Sequence, residues 1–167
     1  MLENVTPTRC VEFAITTEEI GAELYHQLEQ RFASDRELTE LFRDLGRDEV
    51  QHAEQFRALR DRFAQRLQGQ AISTDEANYL RAMSMSDVFS GPKGLATAID
   101  AVRTREDALE HALNLEKATL AYYQAVREVL GPDEVLETLI AVERRHVLLV
   151  MKLLVTGAKF RGYSDSY

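Results

Sequence analysis

Cysteine is almost absent. Cys10 stands alone, which excludes an internal disulfide framework and a CxxC metal or redox knuckle. Basic charge is in deficit, with 20 Lys and Arg against 28 Asp and Glu for a formal net charge of -8. That balance argues against nucleic acid or an anionic membrane as partner. Long apolar runs are missing too. The longest, Val147 to Met151, is far short of the roughly 20 residues that span a bilayer. The opening Met1-Leu2-Glu3-Asn4 has neither the basic start nor the apolar run of a secretory signal, so a soluble, reducing, cytoplasmic setting is expected. Proline and glycine are scarce, three and eight among 167 residues, and they fall mainly between periodic segments. With 45% hydrophobic and 29% charged residues, the chain reads as one folded domain over 1–167 rather than a disordered or fibrous one.

What is present is helical rhythm. Four long segments carry apolar residues at alternating spacings of three and four, the seam of packed helices. The first starts near Thr6-Pro7-Thr8, where a capping Thr and a first-turn Pro suit a helix start, and runs to about Ala33. The second opens on Ser34-Asp35-Arg36-Glu37, a capping-box sequence, and runs to about Leu67. The third begins after Thr104 and stops at Gly131; the fourth opens at Pro132-Asp133 and stops near Gly157. Gly131-Pro132 predicts a tight break between antiparallel neighbours. About 68–103 is a crossover of different character, with short helices expected over Thr74–Met83 and Leu95–Val102. The expected architecture is all-α, a four-helix bundle of two antiparallel hairpins joined by that long link. The tail from Gly157 to Tyr167 is expected to be irregular, either disordered or docking Phe160, Tyr163 and Tyr167 on a neighbour.

The inward stripes hold the chemistry. Reading each seam gives Glu18 among Val11, Ala14, Gly21 and Tyr25, then Glu49 and His52 among Leu45, Phe56 and Leu59. The third seam gives Glu116 among Leu109, Ala112, Thr119 and Tyr123, and the fourth Glu143 and His146 among Leu136, Leu139 and Val150. Every stripe thus carries a glutamate near its middle. An unpaired buried carboxylate costs several kcal/mol, and grouping like charges raises that cost. Two divalent cations would cancel the four carboxylate charges and leave His52 and His146 to bind as neutral imidazoles. Glu49-Val50-Gln51-His52 and Glu143-Arg144-Arg145-His146 each place both ligand types on one helix face. A mixed carboxylate and imidazole set suits iron or manganese.

The pattern repeats. Glu18 precedes Tyr25 by the interval at which Glu116 precedes Tyr123, and each pair is followed by a Glu-x-x-His on the next helix. A shift of one residue in the phase of the first helix would make Glu19 the ligand in place of Glu18. Cys10 reads as a small buried hydrophobe, His26 and His111 as surface residues, and Arg144 and Arg145 as partners in exposed ion pairs. Tyr25 and Tyr123 fit either simple core aromatics or groups bonded to the site.

This arrangement resembles the ferritin-like di-iron carboxylate superfamily, and within it the rubrerythrin-like proteins, over about residues 8 to 156. One Glu from each of two helices with a Glu-x-x-His from each of the other two is that superfamily's ligand motif. The resemblance implies a ferritin-like bundle in which Glu18, Glu49, His52, Glu116, Glu143 and His146 hold two iron ions. It implies too that Tyr25 and Tyr123 serve catalysis by hydrogen-bonding ligand carboxylates. Two departures stand out. Typical rubrerythrins add a four-cysteine rubredoxin-like domain, so with Cys10 alone the electron donor is expected to be a separate, rubredoxin-like protein. They also carry a further glutamate one turn from the third-helix ligand, where Glu116 has Ala112, Leu113, Thr119 and Leu120.

The resulting expectation is a di-iron oxidoreductase that reduces hydrogen peroxide or dioxygen and pairs as a homodimer. The alternatives are a ferroxidase that handles iron in a hollow shell, a manganese-loaded catalase, and a non-catalytic helical interaction module that is metal-free or filled with zinc.

Overall fold

A computed structural model describes residues 6–66, 72–83 and 98–164. Its elements are α1 (Pro7–Arg31), α2 (Arg36–Arg66), α3 (Thr74–Met83), a 3-10 turn (Ala98–Ala101), α4 (Arg105–Leu130) and α5 (Glu134–Ser164). The four long helices stand where the seams place them, and the described residues form an all-α bundle as expected. No helix among the described residues is long and apolar enough to cross a membrane.

Local chemistry explains the ends. Thr6 accepts a hydrogen bond from the Arg9 N–H at 3.2 Å, ahead of Pro7 in the first turn of α1. The box expected from Ser34 and Glu37 does not form. Asp35 N–H closes the preceding turn onto the Phe32 carbonyl at 2.8 Å, so the cap moves one residue on and Asp35 Oδ1 accepts from Leu38 N–H at 3.1 Å. A reciprocal box appears instead at Thr104 and Asp107, opening α4. α4 ends at Gly131, whose φ of 83° lies in the left-handed region that glycine adopts at low cost. The irregular tail is a correction: α5 continues past Gly157 to Ser164. One glycine costs a helix only about 1 kcal/mol, and no proline follows to break it. The side chains of Phe160 and Tyr163, the whole of Tyr167, and crossover residues 67–71 and 84–97 lie outside the described set.

Pairings between helices set the directions. On α1 and α2, Glu29 meets Arg43 and Glu19 meets Arg57. On α4 and α5, Glu116 meets His146 and Arg127 meets Glu137. In both hairpins numbers rise on one helix as they fall on the other, so each is antiparallel. The same holds between α1 and α4, where Tyr25 meets Glu116 and Glu18 meets Tyr123. It holds again between α2 and α5, where Asp48 meets His146 and Arg62 meets Asp133. α2 and α4 therefore run the same way, and the link between them begins at one end of the bundle and finishes at the other. Tyr79 of α3 donates to Glu128 near the C-terminus of α4, whereas Arg31, at the end of α1, donates to the Ile99 carbonyl.

The core has two apolar halves. One gathers Leu24, Leu28, Leu38, Phe42, Leu45, Leu109, Ala112 and Val150. The other gathers Val11, Ala14, Phe56, Leu59, Phe63, Val126, Leu136 and Leu139. On every long helix the buried acidic residue falls between the two sets, so the charged groups form one belt at the waist. α1 and α2 come close beside it: a side chain at Gly46 would meet the Tyr25 Cβ at 3.3 Å. Apolar burial on both sides, at about 25 cal/mol per Å², offsets the cost of holding that belt out of water.

Candidate metal centre

Each Glu-x-x-His pair lies within one helical turn, so both side chains leave the same face. Packing then brings the four faces together. Glu18, Glu49, His52, Glu116, Glu143 and His146 are all buried, none more than 5% exposed. They form two overlapping quartets, Glu18, Glu49, His52 and Glu143, and Glu49, Glu116, Glu143 and His146; within each, one ligand atom per residue lies within 4.8 Å of the rest. Glu49 and Glu143 belong to both. Glu18 with His52, and Glu116 with His146, close opposite ends. The donor set and spacing could hold two metal ions, with the shared glutamates between them.

The two phases left open on α1 are resolved by position. Glu18 points into the belt, while Glu19 lies outside and pairs with Arg57. His26 is exposed and bonded to Gln30 at 2.8 Å; His111 is half-buried rather than on the surface. Arg144 and Arg145 are exposed. Cys10 is buried, and desolvation pushes its thiol up to about 11, so it is a protonated hydrophobe rather than a redox thiolate.

The tyrosines cross between hairpins. Tyr25 of α1 donates to Glu116 Oε1 of α4, and Tyr123 of α4 donates to Glu18 Oε1 of α1. Burial first, then the carboxylate charges nearby, raises both phenols well above their usual range. They therefore stay protonated and remain donors. Two further groups went unnoticed in the sequence. Tyr122 packs edge-on against Tyr123, 6.2 Å between centroids, and donates to the Cys10 carbonyl at 2.9 Å. Asp48 Oδ2 stands 3.3 Å from His146 Nε2. A signal for Asp48 existed: the repeat pairs it with Val142, an acid against an aliphatic side chain beside otherwise matching ligands.

Burial and neighbouring charges shift most of the belt's groups toward their protonated forms. Desolvation, then the charge of Glu49, raises the Glu18 carboxyl well above the usual range. Desolvation, then Glu49 and Glu116, does the same to Glu143. Burial also opposes ionisation of Glu49, but hydrogen bonds from Glu18 and His52 hold it below the usual value. Burial works against charge on His52 and His146, yet the surrounding carboxylates raise both rings. Even so, Glu116 Oε2, both Glu143 oxygens and His146 Nδ1 lack a hydrogen-bond partner. His52 Nδ1 is 2.9 Å from Glu143 Oε1, an ion-pair distance without hydrogen-bond alignment. Buried polar atoms are rarely left without partners, and this set converges at one place. Its donors fit a divalent cation.

A family model described as Rubrerythrin matches residues 10–154. No curated protein and no solved structure matches the chain. The matched span takes in all four long helices' contributions to the belt, and by it this chain belongs to the rubrerythrin family of ferritin-like di-iron proteins.

Proposed function

We propose that this chain is a di-iron oxidoreductase that reduces hydrogen peroxide or dioxygen with electrons delivered by a separate donor protein. Glu18, Glu49, His52, Glu116, Glu143 and His146 are the ligands in this reading. The observation that carries it is the closed belt of four glutamates and two histidines, with several donor atoms lacking any other partner. Two ferrous ions, when bound, supply two electrons at one place, which together with two protons convert peroxide to two waters. The chain's own residues do the rest. Glu49 and Glu143 bring the two quartets together, while Tyr25 and Tyr123 pin Glu116 and Glu18 by donated hydrogen bonds. The enclosure of all six side chains favours an oxidant of two or a few atoms over an organic substrate.

The test is peroxide consumption by iron-loaded, pre-reduced protein, supplied with a reductant and compared with the His52→Ala variant. Wild type is expected to consume peroxide and reductant in equal two-electron amounts, and the variant to lose most turnover. Persistence of peroxide over fully loaded, reduced protein would overturn the proposal. So would peroxide loss without reductant, the mark of disproportionation, or growth of a ferric mineral, the mark of storage.

A pH dependence follows from the protons held in the belt. Glu18, Glu143, His52 and His146 are all shifted upward, and a cation must displace the protons they hold. Metal affinity is therefore expected to rise with pH, with protons released on binding. In the metal-free chain these four groups act the other way, because groups raised on folding stabilise it at low pH and lose that effect as pH rises through their folded values. Glu49, held low, acts in the opposite sense. Calorimetry in two buffers of different ionisation heat counts the protons. A count of zero would contradict the expected exchange.

A further inference from the structure

The two ends of the centre are not copies of each other. The repeat that matches Glu49 with Glu143 and His52 with His146 also matches Asp48 with Val142. Asp48 Oδ2 lies 3.3 Å from His146 Nε2, while the same ring's Nδ1 faces Glu116 Oε2 at 3.3 Å and Glu143 Oε2 at 3.8 Å. His52 also turns Nδ1 inward, 2.9 Å from Glu143 Oε1, 3.1 Å from Glu49 Oε2 and 3.7 Å from Glu18 Oε1. At the place equivalent to Asp48, however, half-buried Val142 offers no acceptor.

We infer that Asp48 is a positioning residue that makes the Glu116–His146 end the tighter of the two metal positions, so that ions enter in a fixed order. The inference rests on the two-metal reading above. A neutral imidazole has one N–H and one lone pair. Donating the N–H from Nε2 to Asp48 leaves the lone pair at Nδ1, on the side of the glutamates, and fixes the plane of the ring. A carboxylate in that role also makes the ring a stronger ligand. His52 receives no such help from α5, where half-buried Val142 takes the place of an acid. Asp48 is 34% exposed and stands 3.7 Å from Arg47 Nε, so replacing it alters the histidine without opening the core.

Metal-free protein titrated with cobalt(II), followed by calorimetry and visible absorption, tests the order. Two steps are expected in wild type. His146→Ala should remove the tighter step and His52→Ala the weaker one. Asp48→Asn should weaken the tighter step by about 10–100-fold, the usual effect of losing a ligand's hydrogen-bond partner, and leave the weaker step nearly unchanged; Asp48→Glu should restore most of the loss. Removal of the tighter step by His52→Ala, or an Asp48→Asn protein with both steps unchanged or both weakened alike, would overturn the inference while leaving two-metal binding intact. Wild type that takes up no cobalt would instead overturn the two-metal reading, and this inference with it.

Discussion

Glu143→Leu is expected to fold, to bind neither ion, and in the metal-free state to melt higher than its parent. Glu143 is fully buried, belongs to both quartets, and has no hydrogen-bond partner for either oxygen. Removing it takes a ligand from each ion position at once. The same change relieves the metal-free chain of a desolvated carboxyl, worth about 1–3 kcal/mol, and replaces it with apolar volume of similar size. Two losses oppose this gain. His52 gives up its neighbour at 2.9 Å, but it keeps Glu49 at 3.1 Å and Glu18 at 3.7 Å. His146 gives up its neighbour at 3.8 Å but keeps Glu116 at 3.3 Å. Relief wins, and a core substitution acquires the opposite sign to the usual cavity mutant. Elemental analysis and melting curves, recorded with chelator present, provide the check. Retention of two ions would end the assignment of Glu143 as a shared ligand, and a large fall in the metal-free melting temperature would contradict the electrostatic argument.

Ferrous ion added anaerobically to metal-free wild type is expected to raise its melting temperature by about 10–20 °C. At ion concentrations 100-fold above the dissociation constant, each occupied position stabilises the fold by about 2.7 kcal/mol. In a chain of this size each kcal/mol corresponds to about 2–4 °C. His52→Ala, which spares the quartet of Glu49, Glu116, Glu143 and His146, should keep about half of the shift. Glu143→Leu should show almost none. An unchanged wild-type melting temperature under these conditions would favour a plain helical interaction module. A full shift in Glu143→Leu would place the stabilising ion elsewhere on the acidic surface.

Gly46 and Asp35 show where local reasoning stops. Gly46 looks like an isolated glycine in an amphipathic stretch until packing sets Tyr25 against it. Asp35 replaces Ser34 as the cap because of a turn that begins back at Phe32. The carboxylates of Asp35 and Glu37 are both taken by Arg105, which ties the start of α2 to the start of α4. Nothing in the spacing along one helix announces an arginine 70 positions away. Helix α5 passed its expected stop at Gly157 for a related reason: glycine is a weak breaker unless a turn or a proline takes over.

The sequence by itself determined the belt. Helical periodicity is local, so a glutamate in phase with its seam, and a histidine three residues later, must share the buried face wherever that face packs. Glu18, Glu49, His52, Glu116, Glu143 and His146 were all readable on that ground, as was the two-hairpin architecture. Tertiary structure alone decided how the six divide. Register and rotation between helices made Glu49 and Glu143 the shared pair, sent Tyr25 to Glu116 and Tyr123 to Glu18, and set Asp48 behind His146. Those relations arise from how side chains of different helices interlock, a property of the packed bundle that no spacing within a single helix encodes.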